Sequence, residues 1–431
     1  MRIVTEKVCN ENVFLAARSF QFPLWAQGGS GVGELQTPRS PLSMAFCHNA
    51  VIVLVGLLGL PAPSFALKVG IHWQSSSFTS PGEPQRYLIA SFPKDSKISY
   101  ARLPDPTWRP LVIRNLSNPS VLAVDEQNRR LFVADQTANQ IWWYQLQVSE
   151  PSKFLMTDGV QRVAVTNIVA KGLAVSQAGD LFIAGRVLAV GQGGRSAIYK
   201  QEAAAFELGE VPSPQQLWTA GDGSWLPKIL ETGQPSMSEP MSPSTPEIYQ
   251  PGAVAIDMFT VYWGNMIKGN ASALASGPAT VPMPRPGAAA PKLKAGARAL
   301  ANSFESVTGL AMTSAGMFFA GRPTEGLPGI FALPNRDVSS GCSEDDHCVR
   351  RVAQIGNPLS LCWDGDSTLF IADGGRGAVV SLPSATASRH DVEKVADARG
   401  VRAVAILSVP NAATQMTSLW MAVVLSIASL W

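Results

Sequence analysis

One pattern recurs along this chain: a short apolar strand, a turn of four to six residues, and a second strand ending in a small residue and then a polar one. The fullest copy is Asn118-Pro-Ser-Val-Leu-Ala-Val-Asp-Glu-Gln-Asn-Arg-Arg-Leu-Phe-Val-Ala-Asp135, followed by a third strand, Gln140-Ile-Trp-Trp-Tyr144. Further copies begin at Lys171, Pro251, Thr308 and Asn357. Aligned on the middle of the first strand, the register residues are Ala123, Ala174, Ala255, Ala311 and Cys362, separated by 51, 81, 56 and 51 positions. Such periods suit four-stranded propeller blades with insertions. A lone small sheet cannot bury both faces, whereas sheets packed radially bury each other. The innermost strand of each blade crowds the axis, which explains the small register residues.

A sixth copy is divided between the two ends of the repeat region. Gly400-Val-Arg-Ala-Val-Ala-Ile-Leu407 has the first-strand pattern, with Ala405 in register, and its missing second strand is Arg86-Tyr-Leu-Ile-Ala-Ser91. Lys97-Ile-Ser-Tyr-Ala-Arg102 supplies a third. Pairing the two ends in one blade closes the ring. The expected fold is therefore all-β, a six-bladed β-propeller over residues 67–409, with an open stack or two β-sandwiches as the alternative. Segments 201–249 and 268–301 are rich in Pro, Ser, Ala and Gly and read as partly disordered loops on one rim.

These residues carry a family resemblance. The Asn118 to Asp135 copy resembles an NHL repeat, and Val261-Tyr-Trp-Gly-Asn265 is similar to the YWTD repeat of lipoprotein-receptor propellers. The resemblance implies the six-bladed, TolB-like class, which hosts several activities.

Charge excludes one class of partner. Lys plus Arg number 34 and Asp plus Glu 32 in 431 residues, so a net charge of +2 gives no electrostatic footprint for nucleic acid. Both ends read as addresses. The apolar run at residues 50–60, followed by Ser64-Phe-Ala66, matches a secretory signal peptide at 44–66 with Leu67 as the mature start. Residues 1–43 then form a long leader, or an extension ahead of a true start at Met44. At the other end, segment 411–431 combines three small residues from Asn411, a polar spacer and an apolar tail from Leu419, the pattern of a GPI-attachment signal, with a membrane-anchoring helix as the alternative. A secretory address with membrane attachment at the cell surface is the expected localisation.

Candidate chemistry sits where the second strands end: Asp135, Arg186, Asn265, Arg322 and Asp373. Ringing one funnel, they could bridge a carboxylate-bearing or sugar-like ligand; alternatively each caps its own hairpin or pins a neighbouring blade. The resemblance also admits metal-dependent lactone or ester hydrolases, in which Asp135, Asn265 and Asp373 would imitate a calcium ligand set. Of the histidines beyond the signal, His72, His347 and His390, none occupies a repeat position. Cys342 and Cys348 flank a short acidic loop and are expected to form a disulfide in an oxidising compartment, with Cys362 a buried free thiol. Asn115 and Asn270 head glycosylation sequons. The expected function is a non-enzymatic scaffold binding a protein or glycan partner without a cofactor, with the metal-dependent hydrolase as the alternative.

Overall fold

The computed structural model describes residues 84–150, 152–188, 196–209, 214–219, 248, 250–266, 273–280, 298–340 and 348–410. All lie in the compact unit Ser75–Trp431. The signal and tail segments, His72, His347, Asn270 and Cys342 lie outside the described residues. Among the described residues, no helix is long and apolar enough to cross a membrane.

The described strands make six antiparallel sheets. Blade 1 joins Ala403–Val409 to Gln85–Phe92, Lys97–Arg102 and Arg109–Val112. Blade 2 runs Pro119–Asp125, Arg130–Asp135, Gln140–Ser149, with Phe154–Thr157 and Arg162–Val165 both pairing the long third strand. Blade 3 holds Ile168–Val175, Leu181–Val187, Ser196–Gln201 and Gln215–Thr219; blade 4 holds Pro251–Ile256, Thr260–Asn265, Leu274–Pro278 and Arg298–Ala301. Blade 5 comprises Phe304–Thr313, Gly316–Pro323, Gly329–Pro334 and Arg350–Gln354, and blade 6 Pro358–Trp363, Thr368–Asp373, Ala378–Pro383 and Glu393–Asp397. Each inner strand touches the inner strands on either side, and the last returns to the first, so the ring is closed.

Blade 1 is the split blade. Gln85 pairs with Val409 and Ser91 with Ala403, a seven-residue ladder between strands more than three hundred positions apart. Arg86 reinforces the junction with blade 6, its guanidinium 2.7 Å from the fully buried Asp364 carboxylate and 3.2 Å from Asp366.

The core is divided into six apolar clusters, one at each blade interface. Between blades 3 and 4, for instance, Phe182 and Ile198 meet Val254, Val261 and Trp263. Each fully buried large apolar side chain contributes about 1.5–3 kcal/mol. Stability is thus distributed around the ring, and no interface can be lost without opening it.

Two sequence expectations change. Segments 201–249 and 268–301 contain regular structure: the helix Ala203–Leu208, the strand Gln215–Thr219 and both outer strands of blade 4. Their Ala, Gly, Ser and Pro content hides the alternation by which strands are recognised. Cys362 is free but only half-buried, on the wall of the central channel. That position still lies deep enough for desolvation to push its thiol well above the usual range.

Candidate functional site

The six inner strands run the same way along the axis and enclose a channel of about 1240 Å³. All six register residues, Ala123, Ala174, Ala255, Ala311, Cys362 and Ala405, are on its wall. Crowding is tight: a Cβ on Gly172 would stand 2.9 Å from the Ala253 backbone of the next blade.

Antiparallel pairing carries the ends of the second strands to the mouth where the inner strands begin. Asp135 pairs with Pro119, Arg186 with Val169, Asn265 with Pro251, Arg322 with Ser306 and Asp373 with Pro358. The five candidates therefore share one face of the disc, but none of them lines the channel. Asp135 is 1% exposed, and its carboxylate accepts four backbone N–H bonds, from Ser117 (2.6 Å), Asn118, Thr137 and Ala138 (each 3.1 Å). Asp373 is fully buried and accepts from the N–H of Gly375 and Arg376. Asn265 is buried as well, with its own N–H donated to the Ala273 carbonyl. Arg186 and Arg322 are exposed.

These placements bear on a shared metal. Asp135, Asn265 and Asp373 belong to blades 2, 4 and 6 and are each buried away from the channel they would have to share; Asp373 keeps one oxygen without a donor, but it lies 3.6 Å from its own Arg376, so the three do not fit one calcium ion. Among the described residues no group of three or more His, Cys, Asp or Glu is arranged to hold a metal.

The wall carries a second ring, three positions before each register residue: Ser120, Lys171, Gly252, Thr308, Leu359 and Arg402. In blades 2 to 6 this residue is skipped by the ladder. Pro119 and Val121 pair with Asp135 and Ala134, leaving Ser120 out, and the same break omits Lys171, Gly252, Thr308 and Leu359. An odd separation puts two residues on opposite faces of a regular strand; a bulge breaks that alternation and re-aims the side chain. Arg402 takes the equivalent place just ahead of Ala403–Val409, its N–H bonded to the Ser91 carbonyl at 3.0 Å.

Two of the six are cations, on blades 3 and 1, flanking Ser120 of blade 2. Lys171 and Arg402 are half-buried, and no carboxylate or acceptor among the described residues pairs with either side chain. Burial lowers the Lys171 ammonium from its ordinary value, and the positive fields of Arg402 and then Arg186 lower it further. Burial also lowers Arg402. The far mouth is the reverse: its wall carries Asp125, Glu126, Asp180 and Asp257. Each is satisfied internally, Asp125 by Asn128, Glu126 by the Ser408 N–H, Asp180 by Lys200 at 2.8 Å, and Asp257 by Tyr262 and two backbone N–H groups.

Reading the sequence from strand ends missed this ring, although it is visible once the copies are aligned on their small residue and the position three earlier is compared. Elsewhere, Asn115 is exposed, with a left-handed φ of 59° and its carbonyl bonded to the Gln161 amide. Cys348 is disulfide-bonded.

No family model matches the chain. No curated protein matches it either. Solved structures do resemble it: a nidogen/laminin complex (12% identity, 75% of this chain and 98% of that one, TM-score 0.45) and the periplasmic gluconolactonase PpgL of Pseudomonas aeruginosa (14%, 76% and 100%, 0.43). A gluconolactonase of Xanthomonas campestris is also similar (12%, 73% and 84%, 0.39). At such identities none of these likenesses says what this chain binds.

Proposed function

We propose that this chain is a non-enzymatic binding scaffold, a propeller of the NHL or YWTD type that receives a protein or glycan partner at the mouth where its inner strands begin. One observation carries the reading. Asp135 and Asp373 at that face are buried, held by backbone N–H groups of their own turns and absent from the channel wall, whereas Lys171 and Arg402 stand on the wall at that mouth with no partner among the described residues. A general acid or base must reach the reacting group with a proton to exchange; two buried carboxylates off the channel wall do not.

Export to the cell surface, with attachment through the C-terminal segment, belongs to the same proposal. The disulfide at Cys348 and the exposed sequon residue Asn115 support an oxidising, glycosylating route.

Lactone turnover with and without calcium tests the reading. The scaffold predicts that glucono-δ-lactone disappears at its spontaneous rate and that calcium leaves the melting temperature unchanged. Saturable, calcium-dependent hydrolysis accompanied by a rise in melting temperature would replace it with the hydrolase.

A further inference from the structure

Lys171 and Arg402 occupy equivalent places in two blades and project from the same level of the channel wall, with Arg186 at the mouth end of the strand paired to that of Lys171. Like charges brought together at a half-buried site repel one another and lose hydration. Folding alone gives no return for that cost, since no carboxylate among the described residues answers either one. The other charged end of the channel is built the opposite way, every wall carboxylate being matched by a donor within the fold. The axis is therefore polar: unmet positive charge at one mouth, met negative charge at the other.

We propose that this ring is an oxyanion-recognition site, in which Lys171 and Arg402 hold a single carboxylate, sulfate or phosphate group at the end of a ligand lying in the channel. The assignment rests on the reading of this mouth as the binding face. An arginine offers a planar fork and a lysine a mobile point charge, a pairing suited to a terminal oxyanion. Ser120, between them on blade 2, donates its hydroxyl to the Ala134 carbonyl at 3.3 Å, so the two cations carry the recognition. The carboxylates of the far mouth repel a second anionic group, so the site selects ligands charged at one end and rejects a polyanion threaded along the axis. The lowered proton affinities of Lys171 and Arg402 agree with this, because a bound anion would reverse them.

Calorimetric titration of the full-length chain with D-glucuronate, inorganic phosphate and neutral D-glucose tests the assignment. Wild type should bind the anions at one site and show no heat with glucose. Lys171→Gln or Arg402→Gln should weaken anion binding at least about tenfold, the lower end of what a charged hydrogen bond is worth, while Arg389→Ala, in the exposed turn between Ala378–Pro383 and Glu393–Asp397, changes nothing. Tighter binding of glucuronate than of phosphate identifies a sugar carboxylate as the natural group, and the reverse order identifies a phosphate. A second readout separates recognition from structure: ligand-free Lys171→Gln should melt no lower than wild type, since it removes an unanswered charge. Anion binding that survives in the Lys171→Gln/Arg402→Gln double variant, or no binding of either anion at millimolar concentration, overturns the assignment. Lactone hydrolysis by wild type would instead remove the scaffold reading and leave the oxyanion site standing.

Discussion

Replacing Asp135 by alanine separates a turn cap from a ligand group. The carboxylate is buried and gathers four N–H groups from the two chain segments flanking the mouth end of blade 2, residues 117–118 and 137–138. Hydrogen bonds to a charged group contribute about 1.5–3 kcal/mol each, but bonds sharing one acceptor are not additive, and water can reach some of the freed donors. A loss of about 3–5 kcal/mol follows, near the upper end for single substitutions. In a domain of this size, with an unfolding entropy of about 0.7 kcal/mol/K, that lowers the melting temperature by about 4–7 °C. Asp135→Asn keeps one acceptor oxygen and should fall between. Differential scanning calorimetry of Asp135→Ala beside the exposed-site control Arg322→Ala reads the difference. A change within about 1 °C for Asp135→Ala, which corresponds to about 0.7 kcal/mol at most, would refute the capping argument and return Asp135 to the ligand site.

Gly172→Ala forces a Cβ to 2.9 Å from the Ala253 backbone and should cost about 1–3 kcal/mol in urea denaturation, whereas Gly356→Ala, whose Cβ meets nothing within 4 Å, should be close to neutral. Arg86→Ala strips the buried Asp364 of its ion pair and should destabilise by about 2–4 kcal/mol, seen as a lower urea midpoint. Cys362, its thiol raised by burial, should resist iodoacetamide at neutral pH in the folded chain and react after denaturation, as peptide mass mapping would show. Lys171 sets a pH dependence. Its folded pKa lies below the ordinary lysine value of about 10.4, so between the two the unfolded chain binds more protons and stability rises with pH. Lys171→Gln should lose that increment in melting temperature between neutral pH and about pH 10.

Much of the fold is legible in the sequence because small residues recur where six inner strands crowd one axis. Ala123, Ala174, Ala255, Ala311, Cys362 and Ala405 could be aligned on size alone, and all six reach the channel wall. The split blade is legible for the same reason: Gly400 to Leu407 has a first-strand pattern without a following partner, and Gln85–Phe92 supplies one. The outer strands are harder. Leu274–Pro278, with sequence Leu-Ala-Ser-Gly-Pro, has no alternation to read, and only its pairing with Thr260–Asn265 and Arg298–Ala301 makes it a strand. The candidate site was half legible. Spacing brings Asp135, Arg186, Asn265, Arg322 and Asp373 to one face, but whether a carboxylate meets a ligand or its own turn depends on backbone N–H directions that spacing does not encode. Lys171 and Arg402 are not legible as wall residues because alternation assumes an unbroken strand, whereas a bulge re-aims Lys171 and Arg402 stands just ahead of its strand.

The central claim is that the mouth holds a cation site left unanswered by the fold. Site-resolved titration of Lys171, through carbon-13 methyl groups introduced by reductive methylation and assigned with Lys171→Gln, measures it directly. The account predicts titration below the ordinary lysine value in the free protein and a return toward that value when glucuronate or phosphate is added. Titration of Lys171 at the ordinary value, unmoved by either anion, would contradict it.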